Sequence, residues 1–283
     1  MKKKNLLILI VTGIMLVLTG CSSQSNSSGK KIKITSTPTL FFHGGGSSYH
    51  AEEHMVRAAE KAGVTKSLIR ANVKKSGKVT LTGTWPKDTK NPICEVNYED
   101  NRQLDFNKHG VYATNVIKEL QKKYKFKKIN MVGHSLGNIS IIYYMLRNGT
   151  NKKMPQIQKQ VDIAGHFGGL TFDGIPDSIK QPKRMKLDSN GKPNQMNATY
   201  KQMTKVRSIY NKKHVKVLNI IGDLGNRSDG RVDNISSLSL QYLIGSGNST
   251  YRVLKINGRY AQHSKLHENR EVDRALIKFL WNK

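Results

Sequence analysis

The five residues Gly133-His134-Ser135-Leu136-Gly137 constrain this chain more than any other stretch. They lie between the apolar run Ile129-Asn130-Met131-Val132 and the run from Ile139 to Leu146, Ile-Ser-Ile-Ile-Tyr-Tyr-Met-Leu. The order this implies is a strand, a sharp turn and a helix, with a serine on the turn. A glycine two positions away on each side removes the β-carbons that would clash where strand meets helix, and the serine itself takes a strained conformation. The bare pattern is common, and a glycine-rich turn without chemistry competes with it. The flanking elements favour an exposed serine nucleophile.

The first twenty residues stand apart from the rest. Lys2, Lys3 and Lys4 precede an apolar run from Leu6 to Leu18, and Thr19-Gly20-Cys21 follows. Charge, apolar segment and small residues in that order read as a secretory signal over 1–20, too short for a comfortable membrane span. Leu18-Thr19-Gly20-Cys21 resembles the lipobox of bacterial lipoproteins, which implies that Cys21 is lipidated and begins the mature chain. The competing reading is a signal-anchor helix with an incidental cysteine. Ser22 to Gly29 is polar and small throughout, so residues 21–32 are expected to form a flexible tether.

About 250 residues remain, enough for one α/β domain over 33–283 with a sizeable core. If Cys21 carries lipid, Cys94 is the only other thiol, and an internal disulfide is excluded. Within Pro92-Ile93-Cys94-Glu95-Val96 it reads as a buried strand residue rather than a nucleophile.

Charge bears on partners. The chain carries 48 lysines and arginines against 19 acidic residues, a formal net charge of +29. Lysines outnumber arginines 36 to 12 and are spread over the whole length, which suits diffuse attraction to polyanions better than bidentate base reading. For an exported, anchored chain the available polyanions are anionic lipid headgroups and cell-wall phosphate polymers. A generally basic, solvated surface is the simpler alternative. Nucleic acid is a poor fit, since no recognised nucleic-acid module is present.

Along the chain, Thr39-Leu40-Phe41-Phe42 reads as a buried strand entering the loop His43-Gly44-Gly45-Gly46. Helices are expected over Glu52–Ala62 and Asn107–Tyr124, strands over Gln160–Gly165, Val215–Ile221 and Tyr251–Ile256, and a closing helix over Glu271–Leu280. Strands and turns fill Leu68–Val96. Residues 166–202 lose periodicity and read as a cap insertion or a long surface loop. Alternation of this kind implies a mostly parallel sheet covered on both faces.

A serine hydroxyl needs a base, the base needs an orienting acid, and the developing oxyanion needs donors. Downstream of Ser135, His263 and His267 stand between the last strand and the last helix. Asp223, Asp229 and Asp233 stand in the loop after Ile221. Asp223 could cap its turn instead, and Asp233 suits the cap of a helix starting near Ile235. The N–H of Leu136, directly after the serine, is the first oxyanion donor expected of such a turn. Two metal readings lose. His50-Ala51-Glu52-Glu53-His54 lacks glutamate directly after the first histidine, so an exposed polar helix face is expected there; Asp223, Asn226 and Asp229 fit no calcium-loop spacing. His134 is expected to pack rather than react.

Several landmarks carry a family resemblance. His43-Gly44-Gly45-Gly46 resembles the His-Gly loop of lipases and esterases, which implies Gly45 as the second oxyanion donor. Ser228-Asp229-Gly230-Arg231-Val232 resembles the lipase segment in which an aspartate lies two residues before a small apolar residue, implying Asp229 as the acid. His263 onward resembles the end of small bacterial lipases, implying His263 rather than His267 as the base. From about Pro38 to the C-terminus the chain resembles the α/β-hydrolase superfamily. It is most similar to the uncharacterised cell-surface hydrolase family of Gram-positive bacteria, DUF915, which brings no settled substrate. The resemblance implies an extracytoplasmic, lipid-anchored serine hydrolase. It would act on a small-molecule or lipid ester through Ser135, His263 and Asp229, without metal or other cofactor. A hydrolase-fold protein that binds wall polymer or membrane without catalysis is the alternative, and transfer to an acceptor other than water would share the same acyl-enzyme.

Overall fold

The computed structural model describes residues 31–283. The signal segment, Cys21 and the tether as far as Lys30 lie outside the described residues. Ile32–Lys33, at the end of the segment read as tether, form strand β1, which pairs in parallel with β6 (Tyr124–Lys125).

Eight further strands make one sheet: β2 (Thr39–Phe42), β3 (Leu68–Val73), β4 (Val79–Gly83), β5 (Ile93–Tyr98), β7 (Lys128–His134), β8 (Gln156–Ile163), β9 (Lys216–Asp223) and β10 (Thr250–Asn257). Their spatial order is β10-β9-β8-β7-β2-β5-β3-β4, and every pairing is parallel except the edge hairpin of β3 and β4. Around it pack α1 (His50–Lys61), α2 (Phe106–Lys123), α3 (Gly137–Asn148), α4 (Ala198–Met203), α5 (Arg207–Lys212), α6 (Asn234–Leu238), α7 (Leu240–Ile244) and α8 (Arg270–Trp281). This is the expected mostly parallel α/β sheet.

Alternation along the strands divides the core in two. Leu40, Phe42 and Met131 face one way, toward Val116 of α2 and Ile139 and Tyr143 of α3. Phe41, Val132 and Val161 face the other way, toward Met55 of α1 and Leu276 of α8. With helices on both faces, the central strands need apolar residues on both sides, which is why Leu40, Phe41 and Phe42 of β2 run without a polar break. Phe41 and Phe42 are both fully buried, each contributing roughly 1.5–3 kcal/mol through burial. Cys94 is likewise fully buried in β5, and burial pushes its thiol pKa up.

Register brings the strand ends level. Phe42 pairs with Gly133, His134 with Ile163, and Ile163 with Ile220. The segments that leave these strands therefore emerge along one edge of the sheet, the place where open α/β sheets build their sites. Residues 166–202 leave from β8 at this edge. They consist of turns and short bridges, Leu170 with Lys180 and Leu187 with Pro193, until α4 begins.

Candidate active site

Ser135 follows β7 directly and has φ +52°, in the left-handed region that a β-carbon disfavours. Such strain persists only where neighbours hold it. The Ser135 N–H donates to the Ile163 carbonyl at 2.9 Å, and the Asn138 side-chain amide donates to both the Ser135 and Ile163 carbonyls at 2.9 Å. The flanking glycines are needed for space. A β-carbon at Gly133 would lie 2.7 Å from the Asn138 nitrogen, and one at Gly137 would collide with the Phe42 carbonyl.

Asp229 and His263 meet at the same edge. The His263 Nδ1–H donates to Asp229 Oδ2 at 2.8 Å, and the His263 backbone N–H donates to the Asp229 carbonyl at 2.9 Å. The other carboxylate oxygen accepts from the backbone of Arg231 at 2.8 Å and Val232 at 2.7 Å. Asp229 is 2 % exposed. One oxygen thus fixes its own turn and the other fixes the imidazole. The tautomer follows, because a carboxylate only accepts: Nδ1 carries the proton and Nε2 keeps its lone pair.

The competing residues have other partners. Asp223 accepts from the N–H groups of Gly225 and Arg227, both at 2.9 Å, and pairs with Lys255 at 2.5 Å. The bond from Lys255, then those backbone bonds, hold its carboxyl below the usual range. Asp233 does occupy the cap position of α6, but its side chain makes no cap bond there; it accepts from Gln181 at 2.8 Å. The His267 ring packs edge-on against His134, with centroids 4.8 Å apart. His50 and His54 are exposed, as expected of that helix face. Between them, however, Glu52 is fully buried, and His54 donates to Asp273 at 2.9 Å. Among the described residues, no three histidine, cysteine or acidic side chains gather as metal ligands.

The loop after β2 is fastened from below. The His43 Nε2 accepts the Tyr98 N–H at 3.0 Å, so Nδ1 carries the proton and donates to the Gly44 carbonyl at 2.9 Å. Burial lowers the His43 pKa to about 4, which keeps it neutral in this role. Gly46 N–H donates to Asn101 O at 2.8 Å. The amides of Gly45 and Leu136 donate to no acceptor within the described residues. A β-carbon at Gly45 would stand 3.3 Å from the Leu136 side chain, and one at Gly44 would stand 3.1 Å from Ser135 Cβ. The Gly44-Gly45 loop therefore packs against Ser135 and Leu136.

His166 escaped the sequence reading. It is 2 % exposed, its Nδ1 has no partner, and burial lowers its pKa to about 4, with the nearby His263 lowering it further. Its position directly after the strand read over Gln160–Gly165 was the available signal. His134, expected to pack, does so and also bonds: its Nε2–H donates to the His263 carbonyl at 3.1 Å.

Comparison with known proteins agrees with this fold. Residues 26–283 match the family model described as an alpha/beta hydrolase of unknown function, DUF915. The crystal structure of the lin2722 gene product of Listeria innocua is similar, with a TM-score of 0.75 at 23 % identity, over 88 % of this chain and 95 % of that one. A protein of Lactobacillus plantarum, described as a candidate cell surface hydrolase, has a TM-score of 0.68 at 16 % identity, over 88 % and 93 %. Likeness at these identities bears on the fold alone. No curated protein matches the chain. Fold and family model coincide over the whole sheet: the chain belongs to the DUF915 family of alpha/beta hydrolases.

Proposed function

We propose that this hydrolase is an extracytoplasmic serine enzyme, anchored through lipid on Cys21, that cleaves carboxylic esters through an acyl-enzyme. The observation that carries the reading is the Asp229–His263 pair, at 2.8 Å, on the edge where Ser135 sits at φ +52° against the Gly44-Gly45 loop. Ser135 Oγ attacks the ester carbonyl carbon while His263 Nε2 accepts its proton. The carbonyl π pair moves onto oxygen, which lies between the N–H groups of Gly45 and Leu136. Collapse of the tetrahedral intermediate expels the alcohol, protonated by His263. Water, deprotonated by the same nitrogen, then releases the acid. Asp229 holds the tautomer and steadies the imidazolium. Donors fixed in the backbone need no reorganisation as charge develops, and one such donor is worth about 10²–10³ in kcat.

A fluorophosphonate probe tests the reading. Labelling of the wild-type chain, lost in Ser135→Ala and abolished by unfolding, is the expected result. A folded protein that takes no label refutes it and favours a silent binding protein. A panel of p-nitrophenyl esters of graded length then ranks acyl chains. Extracytoplasmic placement is supported by the cell-surface description of the Lactobacillus relative.

A further inference from the structure

Clefts open at the end of the sheet opposite Ser135, where the parallel strands begin. One of about 800 Å³ is lined by Lys31, Lys125, Lys127, Lys152, Lys153 and Lys213, with Phe126 and Met154 in its floor. No aspartate or glutamate lines it. The lysines that form ion pairs among the described residues, Lys122, Lys255 and Lys265, stand elsewhere.

Local structure holds these charges together. Along Tyr124-Lys125-Phe126-Lys127 burial alternates, so the aromatic rings enter the core and both ammonium groups stay in solvent. Lys152 and Lys153 ride on the turn before β8. That turn is fastened by the Gln156 side-chain amide, which donates to Asn151 O at 3.0 Å and Met154 O at 2.9 Å. Gathering like charges without counter-charge is unfavourable, and an anionic surface relieves it.

We propose that this cleft seats anionic phospholipid headgroups, phosphodiester oxygens lying among the lysine ammonium groups, so that the domain rests on the bilayer with Ser135 turned outward. The proposal rests on the reading that Cys21 is the membrane anchor. The entry point of the chain favours a bilayer over a wall polymer: Lys31 itself lines the cleft and lies ten residues after Cys21. A chain of ten residues reaches at most roughly 33–36 Å, which keeps the lysines close to a surface potential screened over about 8–10 Å. The seven-residue β7 separates cleft from serine by roughly 20 Å.

The test is lysine acetylation footprinting of the mature, lipidated chain on phosphatidylcholine vesicles and on vesicles also containing phosphatidylglycerol. Lipid on Cys21 holds the mature chain to both, so the difference isolates the headgroup. Acetylation of the six lysines is expected to slow several-fold on phosphatidylglycerol only, with relief at high salt. Lys265, near the site, should react equally on both. A chain carrying K125Q, K127Q, K152Q and K153Q, with its melting temperature checked, should lose the protection at Lys31 and Lys213. Equal labelling on both vesicles overturns the proposal. So does protection by soluble polyphosphate with none on phosphatidylglycerol, which assigns the cleft to a wall polymer. A chain that washes off phosphatidylcholine defeats the anchor reading alone, and the phosphatidylglycerol footprint still decides the cleft.

Discussion

His134 donates its Nε2–H to the carbonyl of His263 at 3.1 Å, and the two rings pack with centroids 4.9 Å apart. The residue before the proposed nucleophile is thus bonded to the backbone of the proposed base. Relative placement of the two does not depend on loop packing alone.

Replacing His134 tests this tie. His134→Ala removes the donor and leaves the His263 carbonyl short of a partner, costing about 1–3 kcal/mol of stability. Misplacement of the base should lower kcat on p-nitrophenyl acetate by about 10²-fold. His134→Gln retains a donor and should recover much of the rate. A normal kcat in His134→Ala would reduce the residue to packing.

Two aspartates in one loop should separate cleanly. Asp229→Asn keeps the acceptor for the Arg231 and Val232 amides but no longer enforces the Nδ1–H tautomer. The expected loss in kcat is about 10⁴-fold with the fold retained. Asp223→Asn leaves His263 untouched and gives up the Lys255 pair, so it should act on thermal stability with kcat near wild type. Steady-state kinetics beside melting curves decide the assignment, and comparable kcat losses in both would undo it.

Glycine substitutions should divide by what the new β-carbon meets. At Gly137 it meets the Phe42 carbonyl, backbone against backbone, and Gly137→Ala should yield little folded protein. At Gly44 it meets His134 Nδ1 at 3.0 Å and Ser135 Cβ at 3.1 Å. Gly44→Ala should therefore fold with a modestly lowered Tm and label slowly with fluorophosphonate. Labelling at the wild-type rate would show that the loop gives way without disturbing the serine.

Glu52 should make stability fall on the alkaline side. Burial, then the charge of Glu95, raises its pKa to about 8, and both its oxygens lack partners. A carboxyl with raised folded pKa is protonated in the native state while the unfolded chain has already ionised. The contribution is complete below about pH 4.5 and is lost as pH rises toward 8. Glu52→Gln removes this titration. Between pH 5 and pH 9 the wild type should lose more Tm than the variant, and parallel curves would refute the assignment.

The elements legible in the sequence were those whose neighbours were apolar on a fixed period. The elbow strand, the strand at Val215–Ile221 and the helix at Glu271–Leu280 each appear within a few residues of expectation. Asp229 and His263 were reached through resemblance, and the structure brings them into contact. Glu52 was not legible. Two glutamates in a first helical turn read as solvated, and only the packing of α1 against the sheet buries one of them. His166 was hidden similarly, since a histidine opening an aperiodic segment has no signature of its own. The Asp233 side chain, expected to cap, was claimed by Gln181 from 52 residues upstream, a distance over which local patterns are silent.

Because the Phe42 carbonyl occupies the space that a β-carbon would take at Gly137, the loop carrying Gly45 and the helix behind Ser135 behave as one rigid casting. Neither can be reshaped without displacing the other. Selectivity within this architecture is left to residues 166–202, apart from glycines such as Gly169, where a β-carbon would again meet backbone at the Ile179 carbonyl. Relatives with different substrates should diverge there first.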